Sequence, residues 1–314
     1  MEVVQMLLRG LETYSGIFQV MSDTGPLVVL PNRFADEVCN NKSLSFNRYF
    51  DKDFFVNYPG FEAYHTGYKD GTFIQEIVRV KFTQSLALVN KGLVEETTNA
   101  IRNIIGGDTN FHEIPAEEST SALVARLSSR VFLSRGSARN KPWLEIAVDY
   151  IHDSCSAAYE LGGWPFFLRP FVYWFLPKCY RPRQEVRDAT TLIMPEVESR
   201  KKAAQEALTA GKKPPKKAGT IGWIHEFSRG RDVKYVHGQL FLSFAAIHTT
   251  AETITGCLYD ICAYPKVVQP LRKEIIQVLG ESEWSKTALY KLQLMDSLEG
   301  ESTPSPHGIL SVSD

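Results

Sequence analysis

The chain has 314 residues, of which 44% are hydrophobic and 23% are charged, and both values are ordinary for a globular protein. A formal net charge of −1 excludes a general electrostatic attraction to nucleic acid. The five cysteines form no CxxC pair and no zinc-ligand spacing, which favours reduced thiols in a cytosol-facing protein and predicts no metal site of their own.

The N-terminal part is predicted to contribute a small β element to a mainly α protein. Residues 1–18 contain no apolar run long enough for a signal peptide or a membrane span, and their polar residues at helical spacing indicate a short amphipathic helix. Two β-prone runs, residues 17–21 and 27–30, flank a turn-rich sequence and predict a hairpin. Residues 40–71 are rich in Asn, Asp, Gly and aromatic residues and predict a long ordered loop.

After residue 71 the chain is predicted to be helical almost throughout. Apolar periodicity places helices at residues 73–89, 93–105, 119–132, 142–161 and 185–210. The lysine-rich sequence of residues 201–217, which also contains a glycine and two prolines, predicts a solvated helix end and a surface linker in preference to a binding patch.

The strongest periodic signal lies in residues 236–264, which contain no proline. Apolar residues recur there at alternating steps of four and three, namely Leu240, Phe244, Ile247, Ala251, Ile254, Leu258 and Ile261. The pattern predicts a long buried helix. Three polar residues lie in its middle, and buried hydroxyl groups tend to bond back to a carbonyl one turn earlier, so we expect a local distortion near residues 245–249. The polar residues are either a satisfied core cluster or a functional site.

The sequence FAAIHTT, residues 244–250, resembles the oxygen-activating central helix of the cytochrome P450 superfamily. ARLSSRVFLS at residues 125–134, followed by Trp143-Leu144, is similar to a signature of fungal members. TGPLVVLPNRFADEV and YPKVVQPLRKEI resemble the family's first strands and the helix after the central one. The likeness runs from about residue 10 to residue 298. It implies a mainly α, P450-like fold for residues 1–297, with the C-terminal third of that fold missing.

The resemblance also implies the roles of the central residues. Ala245 and Ala246 correspond to the small pair beside the distal face of a haem, and Thr249 to the oxygen-contacting threonine, with Thr250 as a second hydroxyl. His248 occupies the position of an acid, where it either relays protons or packs against the neighbouring helix. The implied cofactor is a haem whose iron is held by a cysteine thiolate.

Residues 164–175, WPFFLRPFVYWF, resemble the segment that roofs the substrate channel and touches the membrane. Aromatic side chains suit both roles, and ordinary buried packing is the alternative. A peripheral membrane contact is expected through Trp164, Phe166, Phe167, Phe171 and Trp174. The implied partners are a bulky apolar metabolite of the terpenoid or indole-terpenoid type and an NADPH-dependent reductase. The expected location is cytoplasmic or peripheral at the endoplasmic reticulum membrane, without a transmembrane anchor.

The sequence departs from the family pattern near its end. Glu301 aligns with the glutamate of the family's Glu-x-x-Arg pair, but Pro304 stands at the arginine position, and no cysteine lies in a glycine-rich loop. We therefore expect residues 298–314 to be a divergent, disordered tail and the chain to be a truncated, inactive monooxygenase relative. The alternatives are a non-catalytic helical binding or regulatory module and an enzyme completed by a second polypeptide.

Overall fold

Helices form most of the computed structural model, which describes residues 2–14, 16–22, 25–69, 73–107, 110, 112–212, 219–228, 234–281 and 284–302. In chain order the helices are α1 (Glu2–Thr13), α2 (Ala35–Asn40), α3 (Phe46–Asp53), α4 (Glu62–Tyr64), α5 (Phe73–Glu76), α6 (Thr83–Ile104), α7 (Ala116–Phe132), α8 (Lys141–Gly162), α9 (Arg169–Val172), α10 (Pro177–Thr209), α11 (Thr220–Ser228), α12 (Tyr235–Ala263), α13 (Val268–Glu281), α14 (Lys286–Leu289) and α15 (Gln293–Ser302). The mainly α class predicted from the sequence is confirmed.

The small β element is an antiparallel hairpin of β1 (Phe18–Ser22) and β2 (Gly25–Val29). Phe18 lies opposite Val29 at its open end, and Ser22 lies opposite Gly25 at the turn. The alternation of partly buried and exposed side chains along β1 is the pattern of a strand with one covered face. The hairpin predicted from residues 17–30 is confirmed.

Helix α12 lies at the centre of the fold and packs against α4, α7, α8, α10, α11 and α15. Its first nine residues are almost all buried, and Leu240 and Ile247 are among the largest fully enclosed side chains. Helix α10 packs on α8, and α6 packs on α7. Trp143 at the start of α8 is 1% exposed and donates its indole N–H to the Ser129 hydroxyl, at 2.9 Å. The predicted helix at residues 236–264 is therefore the element that organises the core.

Two sequence predictions between residues 40 and 105 differ from the structure. The predicted loop contains α3 and α4, because its aromatic residues pack against the core; Phe50 and Phe61 are 5% and 0% exposed. Ser45 caps α3 by accepting the backbone N–H of Arg48. The two helices predicted at residues 73–89 and 93–105 are one continuous helical run, in which a wider π-type stretch, Ile77–Phe82, joins α5 to α6.

Helix α10 begins eight residues before the predicted position 185. Pro177 occupies its first turn, where the missing N–H costs nothing, and Pro182 and Pro195 lie inside the helix. Pro182 is buried against neighbouring elements, so tertiary packing retains a residue that local preference would exclude from a helix interior. The helix ends at Thr209, and residues 213–218 of the predicted lysine-rich linker lie outside the described residues.

The disordered tail predicted from residue 298 is wrong as far as residue 302, because α15 extends to Ser302. The carboxylate of Glu274 on α13 accepts the backbone N–H groups of Leu294 and Met295, at 2.8 and 3.2 Å, and so caps the first turn of α15. Residues 303–314 of the predicted tail lie outside the described residues. Among the helices that the structure describes, none is both long and apolar enough to cross a membrane.

Candidate functional site

The second half of α12 carries an exposed strip of small and polar residues. Ala245, Thr249 and Glu252 are exposed and lie on one face, since residues three and four apart are neighbours on a helix. Thr250 is also exposed and lies further round the helix, and Ala246 is half-buried. The opposite face packs into the core through Ile247 and Ala251, which are 0% and 4% exposed. The five residues predicted from FAAIHTT therefore do not share one surface.

The Thr249 hydroxyl donates a hydrogen bond to the Ala245 carbonyl, at 2.9 Å. Thr253 repeats this bond one turn later and donates to the Thr249 carbonyl, at 3.0 Å. Helix α12 nevertheless stays α-helical without interruption, so the distortion predicted near residues 245–249 does not break the helix. Because its proton is engaged by the carbonyl, the Thr249 oxygen presents its lone pairs to a donor outside the helix. The strip combines this acceptor with the small surface of Ala245.

His248 points away from the strip and toward α8. Its Nε2 lies 3.2 Å from the Val148 carbonyl oxygen, and its ring lies edge-on to the ring of His152, with centroids 4.8 Å apart and planes at 85°. Burial, and then the neighbouring His152, lower the pKa of His248 below the usual histidine value. His248 therefore packs against the neighbouring helix, and its lowered pKa favours the neutral ring, which retains one nitrogen that can accept a proton.

A cluster of aromatic rings lies behind the strip. Phe244 packs edge-on against Tyr64, with centroids 5.2 Å apart, and lies 5.9 Å from Phe241. Phe50 stacks on Phe54 at 4.0 Å and lies 5.6 Å from Tyr64. The Tyr64 hydroxyl shares a short hydrogen bond with Ser154 of α8, which fixes the cluster to the core. The cluster gives α12 an apolar and rigid support at the point where its polar strip begins.

The five cysteines are all free thiols and none lies on the strip. Cys39 and Cys262 are exposed, Cys155 and Cys257 are half-buried, and Cys179 is buried. Burial raises the pKa of Cys179 to about 11, which disfavours the thiolate that a metal requires. Cys257 follows Thr249 by two turns, or about 12 Å along the helix axis. Within the described residues, no group of three or more His, Cys, Asp or Glu side chains could hold a metal ion.

The aromatic segment after α8 forms an exposed apolar surface. Its outward side chains are Trp164, Phe166, Phe167, Phe171, Trp174 and Phe175, which are between 40% and 85% exposed. Arg169 holds the segment by donating to the carbonyl oxygens of Trp164 and Gly162, at 2.8 and 2.9 Å. Tyr173 is the exception, because it is fully buried and donates its hydroxyl to Pro59. Ordinary buried packing is therefore excluded for the outward six.

The model of the cytochrome P450 family matches residues 11–301. The chain is 40% identical over 290 residues to the cytochrome P450 monooxygenase bsc2 of Alternaria brassicicola, covering 92% of this chain and 55% of that protein. It is 38% identical over 287 residues to the cytochrome P450 monooxygenase 1 of Gibberella fujikuroi, covering 91% and 65%. It is 32% identical over 312 residues to the cytochrome P450 monooxygenase pyr3 of Aspergillus fumigatus, covering 99% and 60%.

The chain belongs to the cytochrome P450 family, and the relatives named above are fungal cytochrome P450 monooxygenases. It spans between about half and two thirds of the length of the curated relatives that it matches. The family implies a haem, a substrate and a redox partner. The exposed strip of α12 fits one face of a haem, because Ala245 projects only a methyl group and the Thr249 oxygen is available beside it. None of the five cysteines lies in a glycine-rich loop, where the resemblance places the cysteine ligand.

The sequence did not indicate two groups that lie close to the site. His152 carries no motif and approaches His248 only because α8 packs along α12. Asp149, Asp153 and Glu185 form a carboxyl cluster between α8 and α10; burial, and then the charge of Asp153, raise the pKa of Glu185 to about 8. The one available signal was the run of polar residues at helical spacing on α8, which also describes an ordinary solvated face.

Proposed function

We propose that this chain carries the oxygen-side and substrate-side part of a haem-dependent monooxygenase that oxidises a bulky apolar secondary metabolite of the terpenoid or indole-terpenoid type. The observation that supports this most strongly is the exposed strip of α12, in which Ala245 and the back-bonded Thr249 stand side by side. A bound haem with a cysteine thiolate ligand would supply the binding and reduction of oxygen. The side chains of α12 would position a water, supply a proton and let a flat group approach the helix.

Each of the five residues from the FAAIHTT sequence of α12 then has a distinct task. Ala245 and Ala246 let a flat group approach the helix, because neither carries a side chain beyond the Cβ atom. Thr249 accepts a hydrogen bond from a water and holds that water beside the strip. Thr250 offers a second hydroxyl from the adjacent exposed position. His248 holds and releases a proton on the α8 side of the helix.

The exposed aromatic surface is proposed to rest on the endoplasmic reticulum membrane. Trp and Phe side chains favour the boundary between headgroups and acyl chains, and this surface places six of them outward. Arg169, whose guanidinium also lies 5.0 Å over the Phe55 ring, keeps the segment ordered. An apolar substrate dissolved in the bilayer would meet the protein here, and an NADPH-dependent reductase would supply electrons.

The decisive experiment completes the fold with a relative. Residues 1–297 are fused to the corresponding C-terminal part of the bsc2 monooxygenase, which should supply the family's cysteine ligand. The reduced, CO-treated fusion should show the Soret band of thiolate-bound haem and, with a reductase, should oxidise a member of a terpenoid panel. A fusion that has this spectrum but oxidises no apolar compound would contradict the proposed substrate class.

The control is the 314-residue chain by itself, which should show no thiolate-type band because none of its five cysteines lies in a glycine-rich loop. A second candidate function follows from the same placement of the cysteines: a non-catalytic module that binds an apolar molecule. Under this alternative the fusion shows no thiolate-type band, while the 314-residue chain itself binds a terpenoid by calorimetry.

A further inference from the structure

His152 is an exposed residue of α8 whose ring touches His248, and the family motif does not include it. The two rings meet edge to face, with centroids 4.8 Å apart and planes at 85°. His152 is exposed and His248 is half-buried, so the pair connects solvent to the α12 side chain.

The hydrogen bond of His248 fixes which nitrogen carries its proton. A backbone carbonyl can only accept, so the Nε2 that lies 3.2 Å from the Val148 oxygen must be the N–H. The neutral ring then has its lone pair on Nδ1. Val148 precedes His152 by one turn, and in an α-helix the same carbonyl accepts the backbone N–H of His152. Helix α8 therefore determines both the tautomer and the tilt of the His248 ring.

Charged groups surround the solvent end of the pair. On α8, Asp149 interacts electrostatically with His152, and Asp153 accepts a hydrogen bond from Arg181 of α10 at 3.1 Å. Glu185 of α10 adds a carboxyl group to the same cluster. These charged groups lie beside His152, while burial, and then the neighbouring His152, lower the pKa of His248.

We propose that His152 is a positioning residue for His248: it holds the imidazole edge-on, keeps Nε2–H on the Val148 carbonyl and leaves Nδ1 as the atom that gains and releases the proton. The proton comes from water at Nδ1, gives an imidazolium whose Nε2–H stays on the carbonyl, and leaves again from Nδ1. Where the resemblance places an acid, this chain carries an imidazole whose ring is held by a second histidine. The use of that proton in oxygen chemistry rests on the proposed function.

Histidine-detected ¹⁵N NMR on the 314-residue chain tests the proposal without any cofactor. In the wild type, His248 should be the neutral Nε2–H tautomer at pH 7. His152→Phe keeps an edge-on ring without a charge, so the tautomer should persist while the titration midpoint of His248 moves upward. His152→Ala removes the ring, so His248 should become a mixture of tautomers. His112→Gln, in an exposed segment where His112 contacts the Asn110 and Ile105 carbonyls, is the control and should change nothing at His248.

A wild-type His248 that is protonated on Nδ1, or a His248 signal that is unchanged by both His152 substitutions, would overturn the proposal. If His152→Ala fails to fold, the tautomer of His248 in the wild type and its titration midpoint in His152→Phe still test the proposal. Separate experiments test the two proposals. If His248→Ala leaves the activity of the fusion enzyme unchanged, the relay role is refuted. The positioning role of His152 is tested by the NMR result alone.

Discussion

The hydroxyl groups of Thr120 on α7 and Thr255 on α12 lie 2.7 Å apart in the buried interface between these helices. Each oxygen also lies within hydrogen-bond distance of a carbonyl one turn earlier in its own helix, Ala116 for Thr120 at 2.9 Å and Ala251 for Thr255 at 2.8 Å. Because each hydroxyl carries a single proton, one of the two donates to the other, which in turn donates to its own carbonyl. Two hydroxyls that share a bond in an apolar interface fix the rotation of one helix against the other. This pair therefore helps to hold α12 with its strip turned outward.

Thr255→Val should lower the free energy of unfolding by about 1–3 kcal/mol, because it leaves the Thr120 hydroxyl buried with one partner fewer. Thr253→Val is the matched control, since Thr253 bonds only to its own helix, and should cost under about 0.5 kcal/mol. Urea denaturation measures both. The double variant Thr120→Val, Thr255→Val should recover part of the loss. A loss equal to the sum of the two single losses would contradict an interaction between the two hydroxyls.

Glu96→Gln should destabilise the protein by about 3 kcal/mol, because Glu96 is a buried carboxylate that two arginines share. Its side chain is 2% exposed and accepts from Arg126 at 2.6 Å and from Arg139 at 3.0 Å. Glu95→Gln is the control: Glu95 pairs with Arg135 at the surface and should contribute under about 1 kcal/mol. Thermal unfolding at pH 7 compares the two variants. Equal losses of stability would show that the buried ion pairs of Glu96 contribute no more than the surface pair of Glu95.

The same carboxylate predicts an acid limit of stability. Burial would raise the pKa of Glu96, but hydrogen bonds from Arg139 and Arg126 outweigh it and hold the pKa below the ordinary value. The native state therefore binds fewer protons than the unfolded state near pH 4.5, and stability is lost as the pH falls through the lowered pKa. In Glu96→Gln this part of the acid slope should disappear.

Glu185→Gln should change stability in the opposite pH range. The folded pKa is raised to about 8 from an ordinary 4.5, so the native state binds more protons between these values and the stability from this group falls as the pH rises. The variant should lose that slope and gain stability over the wild type at pH 8 and above. Glu198→Gln, at an exposed position of α10, is the control. A wild-type stability that rises steadily from pH 5 to pH 8 and an unchanged slope in Glu185→Gln would contradict the carboxyl cluster.

Gly67→Ala should destabilise the protein by about 1–3 kcal/mol, because a Cβ at this position would overlap the ring of Phe241. Phe241 is buried in α12 next to Phe244, so its ring cannot move aside cheaply. Gly107→Ala is the control, since a Cβ there meets no atom within 4 Å. Denaturation gives the stabilities, and near-ultraviolet circular dichroism should change only for Gly67→Ala.

Thr249→Ala in the fusion enzyme should leave the thiolate-type spectrum in place and separate oxygen consumption from product formation. The substitution removes the oxygen that we propose to hold a water beside the strip, while the methyl group that remains keeps the helix intact. Thr253→Ala, which removes the same type of back-bond one turn later, is the control and should keep oxygen consumption and product coupled. Equal coupling in the two variants would remove the basis for the role of Thr249.

The sequence determined the class of the fold, the position of α12 and the hairpin, because these depend on local periodicity and turn chemistry. It also indicated Ala245 and Thr249 through a motif confined to one helical turn. The sequence-based prediction of a loop at residues 40–71 was wrong. Phe50, Phe61 and Tyr64 pack onto the core, and this packing stabilises helices in a polar, glycine-containing stretch. Local propensity is weak in such a stretch, and burial of aromatic surface outweighs it.

Only the tertiary structure decided how the polar residues of α12 divide between two faces. Thr249 and His248 are adjacent in the sequence, but successive residues of a helix point about 100° apart, so one faces the open strip and the other faces α8. His152 and Val148 come from a distant part of the chain, and their contact with His248 exists because α8 lies along α12. Local periodicity identifies a buried helix face, but the groups that meet that face are set by how distant helices pack in three dimensions.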